Sequence, residues 1–270
     1  TFGDVINLSN NTADSYNQEI SVSGNNVYVT WLDSQKNVQD NSNISFISSL
    51  DGGKTFGDTL SLSNIATKAS FPKISSFADN VYIGWNVDNP TQSAVEDSQS
   101  SDDTTNGNIQ EGVYFVKSTD KGTTFDEELR LNSDVEPGEI QIASNSNNVY
   151  ALWGSPHPSA VTSYENDLES KNGAANIVGD HSDSTSTDAN GVYFVKSTDK
   201  GDSFTQPSFV KAQFQNPLNV EIIEHSGELF ITIQATPIDG TLGENQDIYF
   251  MRSPDDGNTF TPAINISNNF

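Results

Sequence analysis

The chain has 270 residues, 33% of them hydrophobic, and a formal net charge of −25 from 37 acidic and 12 basic residues. Such a surface repels nucleic-acid phosphates and anionic lipid and attracts divalent cations, so nucleic-acid binding is excluded. No run of about 18 apolar residues is present, which excludes a membrane-spanning helix. The absence of cysteine excludes disulfides and thiolate metal sites.

In chain order, the first element is an alternating stretch at residues 2–9 of "TFGDVINLSNN", which reads as one extra strand. Four passes through a single plan follow, at about 16–63, 71–132, 138–211 and 218–267. Each pass opens on a hairpin: "EISVSGNNVYVTWLD", "PKISSFADNVYIGWNVD", "EIQIASNSNNVYALWGS" and "NVEIIEHSGELFITIQA". Alternation at period two marks half-buried strands, and the Asn, Asp and Gly between them mark tight turns. In three passes the second strand reaches a tryptophan, Trp31, Trp85 or Trp153, and Gln234 lies near that point in the fourth. Recurrence at one place favours core packing for these rings; the rival role is a stacking platform for sugars.

A second hairpin closes each pass around the pattern Ser-x-Asp-x-Gly-x-Thr/Ser-Phe. It recurs as Ser49, Asp51, Gly53 and Phe56; Ser118, Asp120, Gly122 and Phe125; Ser197, Asp199, Gly201 and Phe204; and Ser253, Asp255, Gly257 and Phe260. Eleven residues, "GVYFVKSTDKG", are identical at 112–122 and 191–201. The Asp can accept hydrogen bonds from backbone N–H groups of its own turn, and the Gly supplies a positive φ. The Phe is expected to fold back on its own sheet. Every acid of the pattern therefore has a turn-building task, and none is read as catalytic. A unit of four strands cannot bury both faces alone and must stack on its neighbours. The expected fold is all-β: a single propeller over 1–270, with four blades of four antiparallel strands plus one extra terminal strand.

These four patterns resemble the Asp-box, or bacterial neuraminidase, repeats of sialidase-like β-propellers. The mix of "NNVYVTW", "DGGKTF" and "INLSNN" also resembles exported repeat proteins of ammonia-oxidising archaea. The first resemblance implies, for an active sialidase, three arginines on the substrate carboxylate, a Tyr–Glu nucleophile pair and an acidic proton donor. Gripping a carboxylate needs a fixed fork of donors, and this chain has two arginines, Arg130 and Arg252. Sialidase activity is therefore not expected. Tyr164 beside Glu165 in "SYEND" reads as a solvated loop, and His157, His181 and His225 lack metal-ligand spacing.

The boxes are further apart than the about 40–50 residues of a four-stranded blade. The surplus lies between second and third strands, longest at residues 89–111 and 155–190. Carboxylate and amide oxygens in such loops suit calcium, which takes about 6–8 of them. The candidates are Asp33, Asp40 and Asn43 in the first unit and Asp239, Glu244 and Asp247 in the fourth. Asp102, Asp103, Asp180, Asp183 and Asp188 are available in the long insertions. No cofactor is required; calcium is the candidate ion.

Four glycosylation sequons, at Asn7, Asn10, Asn43 and Asn265, join the acidic, Lys-poor surface in suggesting an extracellular or cell-surface protein. Thr1 is not an initiator, so a processed product or excised segment is expected. An unpaired strand at one end is a template for association. The expected function is thus non-enzymatic: a structural, adhesion or matrix protein that self-associates into filaments by exchange of a terminal strand. The alternatives are a carbohydrate-binding module and a two-carboxylate glycosidase.

Overall fold

The structure is a computed structural model that describes residues 3–34, 42–63, 68–88, 111–132, 138–154, 191–211, 214–237 and 245–267. Among these the alternating stretches form seventeen strands and no helix. Unit 1 comprises β1 (Asp14–Ser23), β2 (Asn26–Ser34), β3 (Ser42–Ser49) and β4 (Leu60–Ser61). Unit 2 comprises β5 (Lys68–Phe77), β6 (Asn80–Asp88), β7 (Gly112–Ser118) and β8 (Leu129–Arg130). Unit 3 comprises β9 (Ile140–Ser144), β10 (Val149–Gly154), β11 (Gly191–Ser197) and β12 (Ser208–Lys211). A two-residue β13 (Phe214–Gln215) pairs with the far end of unit 4's second strand. Unit 4 comprises β14 (Val220–His225), β15 (Glu228–Pro237), β16 (Asp247–Ser253) and β17 (Ile264–Asn265). Pairing within every unit is antiparallel between consecutive strands.

The outer strands stay short because side chains finish their work. Ser63, Asn132 and Ser267 accept the backbone N–H of Ile44, Val113 and Ile248 at 2.9, 2.6 and 3.0 Å. The carbonyls of the same three residues accept from Leu62, Leu131 and Ile266, each at 2.8 Å. This use of a polar side chain as a ladder rung accounts for the recurrent "LSLS", "LRLN" and "INIS".

Stacking of the units buries the core in three clusters, one at each boundary. Tyr28, Leu32 and Phe46 of unit 1 meet Val81, Ile83 and Trp85 of unit 2. Tyr82 and Phe115 of unit 2 meet Ile142, Ala151 and Trp153 of unit 3. Tyr150, Leu152 and Phe194 of unit 3 meet Ile222, Leu229 and Ile231 of unit 4. In register, the position of Trp31, Trp85 and Trp153 is held in unit 4 by Ile233, not by Gln234. All three tryptophans are buried.

The outward faces of units 1 and 4 keep the same residue positions but cover them less. Ile20 pairs with Val29 as Ile142 pairs with Ala151 and Ile222 with Ile231. Ile142 and Ile222 are buried, whereas Ile20 is 65% exposed. On the opposite face Ile44, Val113 and Val192 are buried, and the equivalent Ile248 of β16 is 38% exposed. Among the described residues these two faces are therefore the less covered ones. Residues 3–13, expected to begin with a strand, form none: among the described residues no strand shares a ladder with them.

The box phenylalanine also departs from expectation. It packs on the preceding unit rather than on its own sheet. Phe125 meets Phe46 edge-on with ring centroids 5.0 Å apart at 77°, Phe204 meets Phe115 at 5.0 Å and 76°, and Phe260 meets Phe194 at 5.1 Å and 77°. Such edge-to-face geometry sets the positive rim of one ring against the negative face of the other. The box glycine lets the rings come this close. Gly122 has φ +78°, and a Cβ there would lie 2.5 Å from Phe46. Gly53 has φ +80° as well, yet a Cβ there would meet nothing nearer than Val27 at 4.0 Å. Gly53→Ala should cost only the left-handed strain of about 1–2 kcal/mol. Gly122→Ala should cost that plus about 1–3 kcal/mol of overpacking. Urea denaturation of dilute protein reads the difference, and equal losses would contradict the seam.

Candidate functional site

The Asp boxes are the most frequent chemistry-bearing feature, and in each the same four bonds close the turn. In the second box Ser118 Oγ donates to Asp120 Oδ1 at 2.7 Å and accepts the N–H of Gly122 at 2.9 Å. Thr124 donates its N–H to Oδ1 at 2.9 Å and its hydroxyl to Oδ2 at 2.7 Å. Asp51, Asp199 and Asp255 repeat this set with Ser49 and Thr55, Ser197 and Ser203, and Ser253 and Thr259. Hydrogen bonds to the charged form hold these carboxyls below the usual range. The Thr124 backbone bond leads for Asp120 and the Ser203 hydroxyl for Asp199, each drawn down to about 2. Asp51 and Asp255 move the same way, led by the Thr55 hydroxyl and the Thr259 N–H.

Polar side chains near the boxes tie one unit to the next. Tyr150 donates its hydroxyl to Asp256 Oδ1 at 2.7 Å, and burial, then that bond, pushes the phenol up. Burial likewise raises Tyr82 to about 12. Lys117 of unit 2 pairs with Asp202 of unit 3, and Lys73 of unit 2 pairs with Glu19 of unit 1 at 2.7 Å. Ser21 meets Ser76, and Ser75 meets Ser144, with hydroxyl oxygens 2.7 Å apart.

The candidate calcium ligands within the described residues are already engaged. Asp33 accepts from Asn11, Ser15 and Ser45 at 3.0, 2.6 and 2.7 Å. Asn43, opposite it across β2 and β3, accepts from Ser61 and Ser63 at 3.0 and 2.9 Å. Asp247 accepts from Asn265 and Ser267 at 2.6 and 2.9 Å in unit 4, away from the other two. Among the described residues no three His, Cys, Asp or Glu side chains converge to hold a metal. Asp40, Asp239, Glu244, Asp102, Asp103, Asp180, Asp183, Asp188, Tyr164, Glu165, His157 and His181 lie outside the described residues. His225 is exposed at the end of β14.

The two arginines do not meet. Arg130 of β8 donates to the carbonyl of Glu111 in unit 2, and Arg252 of β16 lies 3.8 Å from Glu228 in unit 4. Of the sequon asparagines, Asn7, Asn10 and Asn265 are exposed, and Asn43 is half-buried.

The opening segment occupies a telling place. Ile6, Leu8 and Asn10 line one side of a groove whose other side is Ile47, Thr55 and Phe56. At the boundary of units 2 and 3, Leu129, Leu131 and Asn132 of an outer strand face Phe204 and Thr205 in the same way. Residues 6–10 thus lie where the outer strand of a unit before unit 1 would lie. Their sequence agrees: "TFGDVINLSN" at 1–10 echoes "TFGDTLSLSN" at 55–64. Sequence reasoning missed the third-strand phenylalanines Phe46, Phe115, Phe194 and Phe250. Their signal was present in the repeated "ISFI", "VYFV" and "IYFM".

No family model and no curated protein matches the chain. Solved structures do. A protein of unknown function from Dyadobacter fermentans aligns with TM-score 0.58 at 13% identity, over 95% of this chain and 70% of its own. The NanB sialidase of Streptococcus pneumoniae aligns with TM-score 0.57 at 11% identity, over 98% and 54%. The sialidase of Trypanosoma rangeli, in complex with sialic acid, aligns with TM-score 0.53 at 13% identity, over 92% and 37%. The fold is all-β and sialidase-like. The chain spans about half or less of the two sialidases' lengths, and at these identities the likeness is one of fold alone.

The box carboxyls give a sign for acid stability. Their folded pKa lies below the unfolded value of about 3.9, so their contribution is complete above about pH 4 and is lost as pH falls through about 2. Melting temperature should therefore fall steeply over that window, and Asp120→Asn with Asp199→Asn should flatten the fall. An unchanged profile in the double variant would contradict the assignment.

Proposed function

We propose that this chain is a non-enzymatic, exported structural protein of the cell surface or extracellular matrix, with the Asp boxes serving architecture. One observation carries the reading. The four box carboxylates accept bonds from their own turns, and the two arginines, in units 2 and 4, each engage a group of their own unit. The fork that would hold a sugar carboxylate is therefore not assembled from these residues. Sialic acid is bound by the Trypanosoma rangeli sialidase; for this chain that ligand is not proposed.

A carbohydrate reading draws support from the sialidase neighbours. Against it, Trp85 and Trp153 are buried and stack on Tyr114 and Tyr193 with centroids 6.3 and 6.0 Å apart, so those faces are spent internally. Export accords with the acidic surface and the exposed sequons Asn7, Asn10 and Asn265. Calcium is proposed as a counterion of that surface. The test is a screen of the purified chain against sialosides and a panel of α- and β-linked aryl glycosides. No turnover above buffer is expected. Turnover abolished by a single Asp→Asn or Glu→Gln change would overturn the structural reading.

A further inference from the structure

Three units place a tryptophan at one point of the second strand, and unit 4 has Ile233 there. In units 2 and 3 that ring stacks on the tyrosine opposite it in the third strand, Trp85 on Tyr114 at 16° and Trp153 on Tyr193 at 21°. Unit 4 keeps the tyrosine, Tyr249, opposite Ile233. An interior packed to crystal density has to fill the ring's volume some other way. Phe214 fills it: its ring lies 5.1 Å from that of Tyr249, centroid to centroid, at 46°. Phe214 is fully buried, in the cluster that joins units 3 and 4.

Phe214 does not come from the hairpin it completes. It belongs to β13, between the outer strand of unit 3 and the inner strand of unit 4, and it pairs with Pro237 at the far end of β15. Tyr249 lies on β16, at the other edge of β15, so the ring reaches it across β15. Ile233, Ala235 and Pro237 share that face by the period of the strand, and Ala235 puts only a methyl in the way. Units 1 and 2, which have the tryptophan, bring the small Ser15 and Ala69 to the same face of their inner strands.

The segment is held from both sides. Leu218 donates its N–H to the carbonyl of Gln234 at 2.8 Å, and Gln215 Nε2 donates to the carbonyl of Pro237 at 3.2 Å. Towards unit 3, the carbonyl of Pro217 sits so close to Gly154 that a Cβ there would come within 2.9 Å of it. Between Gln215 and Pro217, Asn216 takes a left-handed φ of +51°, which asparagine adopts more readily than most residues.

We infer that residues 214–217 are a strap that locks unit 4 onto unit 3, with Phe214 as its clasp. In units 1, 2 and 3 the ring is part of the hairpin and stays with it. In unit 4 the core is complete only while the strap is docked. Release of Phe214 therefore opens unit 4 below the threshold of global unfolding. The inference goes beyond the non-enzymatic reading and does not depend on it.

Amide hydrogen exchange of the full chain tests the strap. Phe214→Ala should speed exchange in β15 and β16 by ~100-fold and leave β2 and β3 of unit 1 unchanged. Ile233→Trp alone puts two rings into the space of one and should speed exchange in the same strands by about tenfold. Combined, the two changes should return exchange to within about tenfold of the unmodified chain, because the indole then stacks on Tyr249 as in units 2 and 3. Where Phe214→Ala does not fold, Phe214→Leu with and without Ile233→Trp makes the same comparison. Losses that add in the double variant would overturn the proposal. So would exchange that the Phe214 variants leave unchanged, or that they speed equally in unit 1.

Discussion

The structure depends on one contact, a phenylalanine from each of the last three Asp boxes lying edge-on against a phenylalanine of the unit before. A four-stranded sheet of this kind has two apolar faces and cannot satisfy both alone. The box solves the geometry of joining the next sheet. Its Asp and Ser consume the turn's stray donors, its glycine leaves room where a Cβ would collide, and its Phe crosses the boundary. A turn that looks local in sequence is the mortar between units.

The polar chemistry follows the same plan. With 12 basic residues against 37 acidic ones, the chain has few cations to spend, and Lys73 and Lys117 bridge successive units. Tyrosine hydroxyls and serine pairs lie on the same boundaries. Electrostatics here act along the array.

Much of this was legible in the residues. Period-two alternation marked the strands, and four boxes in one register marked the repeat, because turn chemistry and pleat are local. What crosses a boundary was less legible. The direction of Phe125 depends on unit 1 being stacked beneath it, so reading its own hairpin placed it on the wrong sheet. Gln234 lay near the tryptophan position, but strand pairing puts Ile233 there. The serines and asparagines that bond to Asp33, Asn43 and Asp247 were not legible either, because such pairing depends on which residues face each other across strands. Residues 2–9 carry the pattern of an outer strand, but a pattern does not supply the strand it pairs with.

A sialidase-like fold is built here by repeating one joint, which fills three boundaries among the described residues. Urea denaturation of dilute Phe125→Leu beside Phe56→Leu tests that joint most directly. The account predicts the larger loss of stability for Phe125→Leu, because Phe125 lies edge-on against Phe46 of the unit before. Equal losses would contradict it.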